Sequence, residues 1–237
     1  MALTSIGPTT LNIVVPALPN LANRLASDVG TIQLIVSIYL LAMAAGQLLM
    51  GSLSDRFGRR PVLIVALSVT AGASVSAVLI STVESLIAAR ILQAVGASAG
   101  VVISRAIIRD LFDRNRAASM LGLVATVMAV VPTLGPLIGG LLETGFGWEA
   151  IFLFTAITST LVVTWAAITL PETRGLNVQH GAREGFFRDL ARLSRSARFA
   201  GFVLAGAFGS ATFFAFLGGG AHVVVTLMGR SPAEYGA

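Results

Sequence analysis

In 237 residues the chain carries 55% hydrophobic and only 11% charged side chains, with 16 basic against 11 acidic residues and a net charge of +5. An ordinary soluble domain has about a quarter charged residues, so this composition excludes a soluble enzyme and describes a polytopic, all-α membrane protein. With no cysteine and two isolated histidines, His180 and His222, the sequence offers no disulfide framework, no metal site and no cofactor cluster.

Seven apolar segments are long enough to cross a bilayer as helices: 3–22, 34–54, 61–83, 85–106, 117–142, 150–170 and 199–220. The first is interrupted by Pro8, Pro16 and Pro19 and has no basic residue before it, so its helix is expected to start late, as though residues upstream were missing. All 16 basic residues are arginine, and thirteen of them fall in the connectors after the second, fourth and sixth segments. That alternation orients a membrane protein and does not track a nucleic-acid backbone, so no nucleic-acid partner is expected. The positive-inside rule puts these three connectors and the N-terminus in the cytoplasm.

The connector Gly51-Ser-Leu-Ser-Asp55-Arg56-Phe-Gly58-Arg59-Arg60-Pro61 is a short basic hairpin. Gly51 and Gly58 permit close helix approach and positive φ. Asp55 can accept hydrogen bonds, and Arg56, Arg59 and Arg60 anchor the turn on the anionic side of the membrane. A generic anchoring turn would need no such fixed order. The fourth connector, with Arg105, Arg109 and Asp110, emerges on the same face, so Asp55 and Arg59 are expected to form a charge cluster with Arg109 or Asp110.

Within the spans Arg90 is the only formal charge, and Gln93 lies one turn from it. An arginine at helix depth costs about 3 kcal/mol unless paired or hydrated. Either it snorkels to the outer headgroups, or it faces a polar cavity together with Gln93 and Asn12. The fifth segment clusters Gly122, Pro132, Gly135, Pro136, Gly139 and Gly140, which serves a kink, tight packing, or both. Residues 171–198 read as a linker, with Phe187, Leu190 and Leu193 at helical spacing among arginines, the pattern of an interfacial helix.

The hairpin matches the loop 2–3 signature G-x-L-x-D-R-x-G-R-R-P of the major facilitator superfamily. With Pro16-Ala-Leu-Pro19, Arg90-Ile-Leu-Gln93, Arg109-Asp-Leu-Phe112, Gly135-Pro136-x-x-Gly139-Gly140 and Gly147-Trp148, the chain resembles the bicyclomycin-resistance (Bcr/CflA) branch of its drug efflux proteins. The resemblance implies two six-helix bundles that exchange drugs for protons by alternating access, with the hairpin as an inward-side latch and the glycine–proline cluster as an antiporter motif. This chain would then supply the first bundle (1–170), the linker (171–198), and the seventh helix with the start of a second bundle (199–237). The expected partners are a small-molecule substrate, protons, the lipid bilayer, and either a C-terminal half or a second chain.

Two departures from the branch are visible. Val131 stands where the antiporter motif wants a glycine, and Asn12 stands where the branch carries an aspartate. An amide does not titrate. The remaining carboxylates, Glu143 among them, all read as connector or span-end residues, so no proton carrier at mid-depth is expected. The reading is an efflux transporter of the bacterial-type inner membrane. Its alternatives are a carrier of another solute, for instance an anion held by Arg90, or a truncated membrane protein without transport of its own. No grouping of nucleophile, base and orienting residue suggests an enzyme.

Overall fold

The computed structural model describes residues 1–174, 192–231 and 234. The chain forms α1 (Ala2–Asn12), a 3-10 turn (Val15–Ala17), α2 (Leu18–Arg24), α3 (Val29–Phe57), α4 (Arg59–Val78), α5 (Val83–Leu111), α6 (Arg114–Phe146), α7 (Trp148–Thr169) and α8 (Ala197–Ala221). A π-helical turn, His222–Leu227, continues α8. There is no strand among the described residues.

Five of these helices, α3 to α7, are unbroken and both long and apolar enough to cross a membrane. The expected first span, 3–22, is instead two helices joined by the 3-10 turn. Pro16 has no N–H for the Asn12 carbonyl and Pro19 none for that of Val15, so the α-helical ladder loses two bonds where the 3-10 turn forms. Helices α3, α5 and α6 overrun their apolar cores, and each begins at a polar cap. The side chains of Asp28, Thr82 and Asp113 accept from the backbone N–H of Thr31, Ser85 and Arg116 and start α3, α5 and α6. At 29 residues, α3 and α5 each reach roughly 43 Å, well beyond a bilayer core of about 30 Å.

The helices α1 to α7 make a six-span bundle with α5 at its centre, packed against α1, α3 and α4. Small residues allow that packing. A Cβ at Gly96 would run into the Ala66 carbonyl and the Thr70 side chain, and one at Gly100 into the Leu3 carbonyl. One apolar cluster, including Ile13, Leu21, Ile35, Leu86 and Phe152, fills the end of the bundle away from the 51–61 hairpin. A second, including Leu3, Leu63, Leu67, Ile103 and Ile107, fills the hairpin end. The seventh helix of the sequence reading is α8. It lies beside the 3-10 turn, and the π turn after it reaches α2. The interfacial helix expected around Phe187 and Leu190 falls outside the described residues.

Candidate functional site

Three connections meet at the hairpin end. Gly58 takes φ 104°, a left-handed value that suits glycine, and separates α3 from α4. Gly51 has no such conformation. It lies inside α3, where a Cβ would meet Val102 at an ordinary 3.6 Å, so the positive φ expected there is not found. Arg59 pairs with Asp55 of α3 and, through Nε, with Asp110 of α5 at 3.3 Å. Its Nη1 also donates to the buried Ser54 hydroxyl at 2.8 Å. Of the two expected partners in the fourth connector, Asp110 makes the contact. Arg109 folds back onto the Arg105 carbonyl at 3.3 Å, and Arg105 reaches the Met128 sulfur at 3.5 Å.

Two residues that the sequence reading passed over complete this cluster. Glu172, just beyond α7, accepts the backbone N–H groups of Arg59 at 2.9 Å, Arg60 at 3.2 Å and Arg174 at 2.9 Å. The carboxylate thereby caps the N-terminus of α4, where helix dipole and orphan donors favour an anion. Partial burial pushes the Glu172 carboxyl up, but the backbone donors of Arg174, Arg59, Arg60 and Thr173 outweigh it and hold the group below its ordinary value. Thr173, fully buried, donates to Asp110 at 3.3 Å. Arg60 reaches the Ala167 carbonyl of α7 at 2.6 Å, and Arg56 lies over the Phe57 ring, 5.2 Å from its centroid. The end of α7 and the start of the linker are thus bonded to both the hairpin and α5.

A second polar group lies in the bundle interior. The Arg90 guanidinium sits 4.2 Å from the centroid of the Tyr39 ring, and its Nη1 donates to the Thr10 carbonyl and to Gln93 Oε1, each at 3.0 Å. Gln93 Nε2 donates to Ser74 at 2.8 Å, the Tyr39 hydroxyl to the Gly7 carbonyl at 3.0 Å, and Asn12 Nδ2 to the Pro8 carbonyl at 2.7 Å. Arg90, Gln93 and Asn12 are each 0% exposed. They do not line an open cavity wall, and Arg90 does not snorkel to the headgroups, because helices enclose all three. Arg90 Nε and Nη2 and Asn12 Oδ1 have no hydrogen-bond partner among the described residues.

The glycine–proline cluster divides in two. Gly135 and Gly139 pack α6 onto the end of α1, since a Cβ at Gly135 would stand 2.7 Å from Asn12 Cβ and one at Gly139 would run into the Ile13 carbonyl. Gly140 is buried beside them, and α6 stays continuous through Pro132 and Pro136. Gly122 has nothing within 4 Å, so no packing there demands a glycine. One turn beyond Gly139 and Gly140, Glu143 lies near the end of α6 and, at 8% exposed, is buried there. It accepts from Asn20 Nδ2 at 2.8 Å, while its second oxygen has no partner among the described residues. The glycines at 135, 139 and 140 were the available signal, because Glu143 continues their face at helical spacing.

Open space lies between the bundle and α8. Two cavities of about 340 and 350 Å³ share Leu18 of α2 and Gln33 of α3. One is bounded by His222 and Thr226 of the π turn, the other by Ala215 and Gly219 of α8. The polar side chain common to both is therefore Gln33, which is not one of the sequence-derived candidates.

The sequence profile of the Major Facilitator Superfamily matches residues 1–233. The chain belongs to this superfamily. It is 40% identical over 173 residues to a chloramphenicol resistance protein of Pseudomonas aeruginosa, covering 73% of this chain and 41% of that one. To multidrug resistance protein D of Escherichia coli (strain K12) it is 37% identical, over 73% of this chain and 44% of the relative. The uncharacterized MFS-type transporter YdgK of Bacillus subtilis (strain 168) is matched over 98% of this chain and 59% of its own length at 32% identity. The chain thus spans about half the length of the curated relatives it matches. Among solved structures, a bacterial homolog to the human lysosomal transporter Spinster, in an inward-facing and unoccupied conformation, superposes with a TM-score of 0.76. That match covers 99% of this chain and 55% of the other at 19% identity, and it speaks for the fold. The superfamily is one of membrane transporters.

Proposed function

We propose that this chain supplies the first bundle, the linker and the seventh helix of an efflux transporter that exports small molecules, drugs included, by alternating access. The observation that carries this reading is the cluster of Arg59, Asp55, Asp110 and Glu172, which bonds α3, α4, α5 and the exit of α7 at one end of one bundle. Such a cluster holds a bundle rigid while it rocks, and it releases or re-forms contacts with the opposite half. The drug-resistance names of the two bacterial relatives supply the substrate class. On this reading the membrane is the bacterial-type inner membrane, with the N-terminus and the hairpin end in the cytoplasm. No chemical step is assigned to the chain.

The cavities beside Gln33 mark where substrate would lie, between the bundle and the helix that opens the second half. Arg90 holds no solute while it is enclosed, which disfavours an anion carrier built on it. Both walls of the cavity are needed for alternating access. Within these residues the second wall is α8 alone, so a C-terminal half or a second polypeptide is the required partner. For proton exchange the group we assign is Glu143, whose second carboxylate oxygen is buried without a partner among the described residues.

The test is drug efflux in a hypersusceptible host. The 237-residue chain alone should give no uncoupler-sensitive export. Joined to a C-terminal half it should export, and Glu143→Gln in the joined protein should abolish uncoupler sensitivity while leaving substrate binding. Uncoupler-sensitive export by the purified chain alone in liposomes would refute the two-wall argument, and unchanged coupling in Glu143→Gln would refute the proton assignment.

A further inference from the structure

On the bundle surface near the hairpin, α3 and α4 diverge over α5 and leave a groove of about 290 Å³. Its walls include Leu53 and Phe57 of α3 and Pro61, Val65 and Val69 of α4, with Gly96 of α5 in its floor. No side chain lining it carries a nitrogen or oxygen atom. From Pro61 to Val69 it runs roughly 12 Å along α4, most of the depth of one leaflet. A site for a drug-sized molecule would add a few placed polar groups. This groove suits hydrocarbon. It also lies roughly a third of a turn around α3 from Gln33 and Leu40, which face α8, so it does not face α8.

At the hairpin end of the groove stands Arg56, exposed, its guanidinium 5.2 Å from the centroid of the Phe57 ring. Among the described residues no carboxylate comes within ion-pair distance of it, whereas Arg59 next in the motif is committed to Asp55 and Asp110. A fixed cation stacked on an aromatic ring at the mouth of an apolar furrow presents headgroup depth and chain depth in one line. We infer that this groove is a binding site for an anionic phospholipid of the leaflet on the hairpin side, its phosphate at Arg56 and one acyl chain between α3 and α4. The occupancy of this site would brace the two helices whose connector is the hairpin.

The test uses the purified 237-residue chain, equilibrated with phosphatidylglycerol or phosphatidylcholine of identical acyl chains. The lipid retained per chain is read by native mass spectrometry. Phosphatidylglycerol should be retained about fivefold over phosphatidylcholine, the worth of one basic residue near an anionic surface. Arg56→Gln should bring that ratio near one, and Val65→Trp or Val69→Phe, either of which fills the groove, should cut retention of both lipids. Arg24→Gln, at the other end of the bundle, should change neither. Equal retention of the two lipids by the unaltered chain overturns the inference, as does a preference that survives Arg56→Gln in a chain of unchanged helicity. Retention of an apolar drug that Val65→Trp and Val69→Phe both abolish, with no lipid held, would assign the groove to substrate and overturn it equally.

Discussion

Gly122 and Gly139 belong to one motif on one helix, and the structure gives them opposite sensitivities to a single methyl group. Around Gly122 nothing lies within 4 Å, so Gly122→Ala adds no contact and removes backbone freedom. That substitution inside a helix is worth about 0.5–1 kcal/mol in favour of the folded state. At Gly139 the same methyl would run into the carbonyl of Ile13. A backbone atom cannot swing aside as a side chain does, so α6 must move off α1 by on the order of 1 Å, at a cost in the upper part of the overpacking range, ~2–3 kcal/mol. The shift would also disturb Gly135, whose Cβ position stands 2.7 Å from Asn12 Cβ. Helix propensity returns up to ~1 kcal/mol, leaving a net loss of about 1–2 kcal/mol at 139. For a chain of this size that is a drop of roughly 2–8 °C in melting temperature, against a rise of roughly 1–4 °C for Gly122→Ala. Thermal unfolding of the detergent-solubilised variants, followed by tryptophan fluorescence, reads both. Equal shifts at the two positions, or a neutral Gly139→Ala, would refute the packing argument.

Three further outcomes are expected. The Glu172 carboxyl is held below its ordinary value in the folded state, so the stability it contributes is present above the ordinary carboxylate range and lost as pH falls through the folded value. Melting curves from pH 7 down to pH 3 should therefore fall less steeply for Glu172→Gln than for the parent, and parallel curves would refute the capping role. In a double-mutant cycle, Arg59→Gln and Asp110→Asn should show a coupling of about 1 kcal/mol by melting temperature, since the pair is only partly exposed, and additive effects would show the contact to be idle. Single cysteines at positions 58 and 185 should resist an impermeant thiol reagent in intact cells, and labelling from outside would reverse the proposed topology.

The five unbroken spans were legible because each is an uninterrupted apolar run, and the capping residues Asp28, Thr82 and Asp113 stand in plain view before three of them. The interior was less legible. When every face of a helix is apolar, periodicity cannot tell which face is inside, so Arg90 could be found but not aimed. Glu143 was missed because the apolar run ends at Leu142 while the helix continues to Phe146. Glu172 acts through backbone N–H groups 113 and 112 positions away, and no side-chain pattern announces such a bond. The hairpin was read most fully, since Asp55, Gly58 and Arg59 each do there what their chemistry suggests. At Gly51 and Gly122 a motif position proved to carry no local requirement for glycine.

The broken first span and the buried arginine, two separate oddities in the sequence, are one feature in the fold. Pro16 and Pro19 end α1 at Asn12, and a helix end leaves its last carbonyls without intrahelical donors. In a membrane interior no water replaces those donors, so each bare carbonyl costs several kcal/mol. Arg90 supplies one of them, donating to the Thr10 carbonyl at 3.0 Å, and Gly139 lets α6 close over the neighbouring Ile13 carbonyl. The arginine gains in return. No carboxylate stands within ion-pair distance of it among the described residues, yet the negative end of the α1 dipole and the face of Tyr39 both favour a cation at that place. The charge that looked like a substrate ligand is thus committed, on one nitrogen, to closing a helix that proline opened. Its Nε and Nη2 have no hydrogen-bond partner among the described residues. Through Gln93 and Ser74 the same arginine ties the end of α1 to α4, the helix that the hairpin begins.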